Sequence, residues 1–150
     1  MGVFDKFRKN DESADPELPA GLGSLADLNF MSAIEAHVGW KIRLQAYIDG
    51  TGEEKLDASV IEPDNNCVLG KWIHGSGGKL YGEHPLFEEL KRIHASFHRC
   101  AADVVNKVDG GEKETALKVL TTGEYPKYSH QVKALLARLY IELESDNEQQ

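Results

Sequence analysis

Cysteine is scarce in this chain of 150 residues, where Cys67 and Cys100 are the only two. Two thiols cannot build the disulfide framework of a small secreted domain, so the chain reads as cytoplasmic and must rest on a packed core. Positive charge is also short: 17 Lys and Arg stand against 25 Asp and Glu, a formal net charge of -8. A pI near 5.2 argues against a nucleic-acid partner, which needs a basic face. No apolar run approaches the roughly 18 residues that cross a membrane, and no apolar h-region follows Met1. Neither an integral membrane segment nor a signal peptide is therefore expected. Strand-like alternation and internal repeats are missing as well. What is there is a chain 41% apolar and 28% charged, enough for one soluble domain with a single core.

The negative charge sits mostly near the ends. Residues 1–10 carry +2, residues 11–17 carry -4 and residues 142–150 another -4, which leaves the body between them near -2. Val3, Phe4 and Phe7 share one side of a possible helical turn, either a docking or membrane-touching segment or a fraying terminus. Lys6 stands where a myristoylation signal wants Ser or Thr. Asn10 to Gly23 holds two prolines and two glycines and reads as a linker. The expected organisation is a flexible segment over 1–23, a helical body over 24–143 and an acidic tail over 144–150.

Within the body the apolar period is helical. Leu25, Leu28, Met31, Ile34, Val38 and Ile42 step by three and four, predicting a helix capped by Ser24 that runs to Asp49 and stops at Gly50–Gly52. A loop follows to Pro63. Asp64 is the expected cap of a short helix through Cys67, Leu69 and Trp72, ended by the Gly75–Gly78 cluster. Pro85 opens a long helix whose stripe of Leu86, Leu90, Ile93, Phe97, Ala101, Val104 and Val108 closes at Gly110–Gly111. A shorter helix over about 112–120 and a last one through Tyr125, Tyr128, Val132, Leu135, Leu139 and Leu143 complete an all-α fold: a four-helix bundle with one additional short helix.

Six histidines are many for so small a chain. His94 and His98 are four apart on the long helix, so both imidazoles leave one face, as two metal ligands or as interfacial histidines bonded to carbonyls or carboxylates. His37 lies in the first helix's stripe, a place for a satisfied core histidine as well as a ligand. Cys67 lies near the start of the short helix, where the backbone N–H groups favour thiolate, though an apolar-flanked cysteine also serves as an inert small hydrophobe. Together these four offer three imidazoles and one thiolate from three helices, the donor set of a closed tetrahedral zinc site with no position left for a catalytic water.

His37-Val38-Gly39-Trp40, then 26 residues, Cys67-Val68-Leu69-Gly70-Lys71-Trp72, then 21 residues and His94-xxx-His98 together resemble the chemoreceptor zinc-binding (CZB) domain. That family's pattern is an Hxx-aromatic, a Cx-aliphatic-Gx-aromatic and a terminal HxxxH, and the likeness extends over roughly residues 24–143. The resemblance implies a zinc ion on His37, Cys67, His94 and His98 in a bundle that is commonly homodimeric. It also implies a non-enzymatic sensory role in bacterial signalling of the chemotaxis or cyclic-di-GMP type, with zinc or an oxidant as the signal. The chain shows neither a coiled-coil signalling domain nor a cyclase domain, so a stand-alone protein is expected, its partner a chemoreceptor or diguanylate cyclase in trans.

On this reading Cys67 is a redox switch, because its oxidation weakens the metal bond and frees the short helix. Trp40 and Trp72 would shield the metal from water or simply pack, and Gly70 would let a neighbouring helix approach the sulfur. His84 is expected to cap the long helix, His130 to lie partly exposed on a helix, and His74 and Cys100 to stand outside the site. Three other readings share parts of the pattern. A hemerythrin-like di-iron bundle needs bridging carboxylates, for which Glu35 and Glu89 are near misses. A zinc hydrolase would use His84 or Glu35 as base and lacks an HExxH motif. A zinc-stabilised interaction module without sensing needs the same four ligands.

Overall fold

The computed structural model describes residues 22–148. The Val3–Phe4–Phe7 turn and the linker up to residue 21 lie outside the described residues. The linker's last two residues are inside them, and there Leu22 is buried and the Gly23 carbonyl accepts the Phe30 N–H.

The first long helix starts later than its apolar stripe suggests. Ser24–Leu25 (β1) and Leu28–Asn29 (β2) pair as a tiny antiparallel hairpin, Ser24 opposite Asn29 and Leu25 opposite Leu28. Its two turn residues, Ala26 and Asp27, have φ of 51° and 71°, so both central positions of the turn are left-handed as in a type I′ hairpin. Asn29, not Ser24, is the N-cap: its Oδ1 accepts the Ser32 N–H at 2.8 Å. Helix α1 then spans Phe30–Asp49 and ends on Gly50 at φ 74°.

The buried face of α1 is also rotated from the expected one. Phe30, Ala33, Ile34, His37, Leu44 and Ile48 are buried, while Val38 and Ile42 are 42% and 73% exposed. The phase is set by the larger Phe30 and by Leu44 and Ile48 further along, which outweigh two β-branched residues on the opposite side.

The stretch expected as a loop and one short helix holds three short helices: Ala58–Ile61 (α2), Val68–Ile73 (α3) and Ser76–Tyr81 (α4). Asp57 caps α2 through Ser59. The cap of α3 is Cys67 itself, in place of Asp64. Gly75 breaks the chain between α3 and α4, but Gly77 and Gly78 lie inside α4, where Gly77 lets the Trp72 ring pack against the backbone.

The remainder follows the expected layout. Helix α5 spans Pro85–Asp109 with Pro85 in its first turn and Gly110 at its end, α6 spans Lys113–Thr121, and α7 spans Glu124–Glu148. Helix α7 therefore continues past Leu143 into the acidic stretch. Helices α1, α5, α6 and α7 all pack on one another, and α2 lies on α5, giving an all-α four-helix bundle. Its core joins Phe97 and Val104 of α5, Leu120 of α6 and Val132, Leu136 and Leu139 of α7, all fully buried. Each such side chain contributes on the order of 2 kcal/mol by leaving water. This frame holds α1 and α5 rigidly side by side, which decides where their histidines meet.

Candidate metal centre

The buried face of α1 carries His37 inward, and the α5 stripe carries His94 and His98 one turn apart on the same side. His94 is the hub. Its Nε2 lies 3.2 Å from His37 Nε2, 3.1 Å from His98 Nε2 and 3.4 Å from Cys67 Sγ, with His98 Nε2 and Sγ 3.5 Å apart. All four donor atoms fall within 4.8 Å of one another, and the imidazoles are buried. The structure thus brings together all four residues that the sequence singled out.

This geometry has one simple resolution. His37 Nδ1 donates to the Ala33 carbonyl and His98 Nδ1 to the Ile61 carbonyl, both at 2.8 Å, so each ring's single proton is spent. Their Nε2 lone pairs then point at the same small volume. Burial pushes His37 down to about 4 and His94 down to about 2, in the latter case with the neighbouring His98 and His37 adding to the effect. His98 is lowered as well, chiefly by burial. At neutral pH the rings are uncharged, and the Nε2 lone pairs of His37 and His98 converge on His94 Nε2, an arrangement that a cation between the three nitrogens would satisfy. A tetrahedral zinc ion, with Zn–N of about 2.05 Å and Zn–S of about 2.3 Å, sets its ligand atoms about 3.3–3.6 Å apart. The separations around His94 are close to those edges, so the residues fit the ion.

The sulfur is supplied differently. Cys67 Sγ caps α3 by accepting the Gly70 N–H at 3.3 Å. Burial pushes its thiol up, against the pull of the Gly70 N–H. The glycine is required here, because a Cβ on Gly70 would sit 1.6 Å from the Asp64 carbonyl oxygen. What approaches is therefore the loop before Cys67, where a neighbouring helix was expected.

The two tryptophans play different parts. Trp72 is buried, packs on Phe30, Tyr81 and Phe87, and donates its Nε1–H to the Ala26 carbonyl at 2.9 Å, which ties α3 to the hairpin turn. Trp40 is half-buried beneath the Arg43 guanidinium, 3.9 Å above its ring, and Arg43 pairs with Glu54. With Ala36, Val60 and Val68 it lines a cavity of about 630 Å³ that reaches His37, Cys67 and His98 from the surface. The donor group is therefore approachable from the Trp40 side.

The other histidines and the second thiol fall outside the site. His84 Nδ1 caps α5 by accepting the Leu86 N–H, and His130 is exposed on α7. Cys100 is buried elsewhere on α5, its thiol pushed up to about 12 by burial. Glu35 and Glu89 are exposed and not part of the group, so among the described residues the di-iron reading finds no bridging carboxylate. One neighbour was missed by the sequence reading: Asp64, cast as a helix cap, has its Oδ2 3.1 Å from His74 Nε2 and 3.9 Å from His94 Nδ1.

With these four donors converged, the comparison with known families is direct: the family model of the chemoreceptor zinc-binding domain matches residues 37–105. Over residues 37–105 the chain matches the CZB family. The matched span begins at His37 and includes Cys67, His94 and His98. It is narrower than the expected 24–143, and α6 and α7, which supply packing but no ligand, lie beyond it. No curated protein and no solved structure matches the chain. Among the described residues no helix is long and apolar enough to cross a membrane.

Proposed function

We propose that this protein is a cytoplasmic, non-enzymatic sensory module in which Cys67 is a zinc-dependent redox switch. The observation that carries the reading is the asymmetry of the donor set. Three nitrogens stand on the long helices α1 and α5, and the one sulfur caps a six-residue helix beside a surface-reaching cavity. Bound zinc supplies the positive charge that keeps the Cys67 sulfur as thiolate at neutral pH. The thiolate attacks one oxygen of a peroxide: an S–O bond forms, the O–O bond breaks, and hydroxide leaves. The resulting sulfenic acid is a poorer metal ligand, so α3 loses its tie to the three histidines and presents a changed surface. A cellular thiol reduces the sulfenic acid, first forming a mixed disulfide with loss of water and then releasing Cys67 to a second thiol.

In this reading the module acts as a homodimer, with the exposed Val38 and Ile42 of α1 available to a two-fold contact. Its output passes to a signalling partner in trans, of the chemoreceptor or diguanylate cyclase type. The test is a zinc titration followed by graded peroxide. Purified protein is expected to hold about one zinc per chain and to release it to a colorimetric chelator as peroxide rises, with recovery on reduction. Cys67→Ser is expected to weaken zinc binding at least a hundredfold, and Cys100→Ser to leave it unchanged. Protein that takes up no zinc would sink the proposal, and so would peroxide that oxidises Cys67 without releasing the metal.

A further inference from the structure

Each metal-ligating imidazole needs a partner for its second nitrogen, because coordination through Nε2 places the ring's proton on Nδ1 and makes that atom a donor. Two of the three are accounted for by backbone, His37 through the Ala33 carbonyl and His98 through the Ile61 carbonyl. The third is not. His94 is fully buried, and its Nδ1 has no hydrogen-bond partner. A buried N–H left without an acceptor costs about 1–3 kcal/mol, and His94 is the hub of the cluster. The acceptor the structure offers it is Asp64 Oδ2 at 3.9 Å.

Asp64 is well placed to close that gap. It sits on the exposed loop between α2 and Cys67, so a shift of about 1 Å would bring the carboxylate to the 2.7–2.9 Å of a charge-assisted hydrogen bond. Its side chain is only 23% exposed and is held from the outside by His74, whose Nε2 lies 3.1 Å from the same oxygen. Its backbone is held from below by the close approach to Gly70. Charge points the same way. A dication bound by three neutral imidazoles and one thiolate leaves the site at +1, and a buried excess charge calls for a nearby anion. Among the described residues, Asp64 is the carboxylate that comes within 4 Å of one of these imidazoles.

We infer that Asp64 is the positioning residue of the metal site: its carboxylate accepts the His94 Nδ1–H, fixes that ring's tautomer and orientation, and balances the charge of the occupied site. This rests on the zinc reading above and adds a residue outside the family pattern quoted for the ligands. It also links two ligands through one loop. Asp64 precedes Cys67 by three residues, so a displacement of Cys67 draws on the same segment that orients His94.

The experiment compares the full chain with Asp64→Ala and Asp64→Asn, using zinc alone as the probe. Dissociation constants come from chelator competition, and the Nδ1–H signals of the zinc-bound histidines from long-range proton–nitrogen spectra. Asp64→Ala is expected to weaken zinc binding about tenfold to a hundredfold, and Asp64→Asn, which keeps a neutral acceptor, by less. In the parent the His94 Nδ1–H signal is expected to be present and shifted by its carboxylate. In Asp64→Ala it alone is expected to move or broaden, while those of His37 and His98 stay. Equal affinity with an unmoved His94 signal overturns the assignment of Asp64. Movement of all three signals together also overturns it, since that marks a general loosening. A parent that binds no zinc overturns instead the metal reading on which the assignment rests.

Discussion

Helix α5 and the segment from Ala58 to Tyr81 both feed ligands into one metal site, and they are built on opposite principles. Helix α5 runs 25 residues without interruption, packs on every other long helix, and delivers His94 and His98 from a face that would be buried with or without a metal. The segment over 58–81 is three helices of four to six residues, joined by capping side chains and glycines, and it delivers Cys67 from a helix end. Short helices are marginal by themselves and depend on what they dock against. The comparison teaches that the nitrogen donors are part of the frame and the sulfur is an attachment to it. Loss of the sulfur donor is therefore expected to leave the four-helix frame folded.

Taking the metal away is expected to break the comparison most visibly. If zinc is present at a thousandfold its dissociation constant, its removal costs about 4 kcal/mol of stability. In a chain of this size that corresponds to a fall in melting temperature on the order of 10 °C. The loss is expected to be uneven. By hydrogen exchange, amides over 58–81 should lose protection first, while those in the middle of α5 keep theirs. Equal loss in both regions would mean that the frame, too, is organised by the metal.

The converse experiment damages the frame and spares the attachment. Leu139 is fully buried on α7, which carries none of the four ligands. Leu139→Ala is expected to cost about 3 kcal/mol in denaturant unfolding through lost burial and the cavity left behind. Zinc affinity of the folded protein should stay within about threefold of the parent. A collapse of affinity here would show that core packing tunes the site directly, and the two regions would no longer be separable.

The frame was legible in the sequence because long, regular elements advertise themselves. Pro85 and Gly110 bracket α5, its apolar stripe is continuous, and the HxxxH spacing puts two imidazoles on one face whatever surrounds them. The phase of α1 was harder. Val38 and Ile42 look like core and are exposed, while the buried position just before Val38 belongs to His37. The hairpin was hidden because Ala26 and Asp27 adopt positive φ without the Asn-Gly signal that usually marks such a turn. That turn is held by tertiary contacts, since Trp72 and Ser76 both donate to the Ala26 carbonyl. Asp64 was hidden for a related reason. Its spacing before Cys67 suits a helix cap, and only the fold shows that His94 and His74 stand on either side of it. The bundle and the four side chains that converge were therefore readable from spacing, while the phase of α1, the loop and its carboxylate needed three dimensions.

Gly70→Ala tests the joint between the two regions and carries the smallest expected effect. The new Cβ would meet the Asp64 carbonyl oxygen at 1.6 Å and the Asn65 Cα at 3.0 Å, so the loop before Cys67 must move. That loop is largely exposed, which lets it yield without disturbing the core, and α5 to α7 take no part in the contact. Because the atoms met are backbone, the loop must be displaced bodily, and global stability is expected to fall by about 1–3 kcal/mol. The displaced segment carries both the sulfur ligand and the carboxylate beside His94, so zinc affinity should fall about tenfold, or about 1.4 kcal/mol. Chelator competition and a thermal melt of the metal-free protein separate the two quantities. An unchanged zinc affinity would show that the loop can move without carrying Cys67 with it, and the glycine would then serve backbone packing alone.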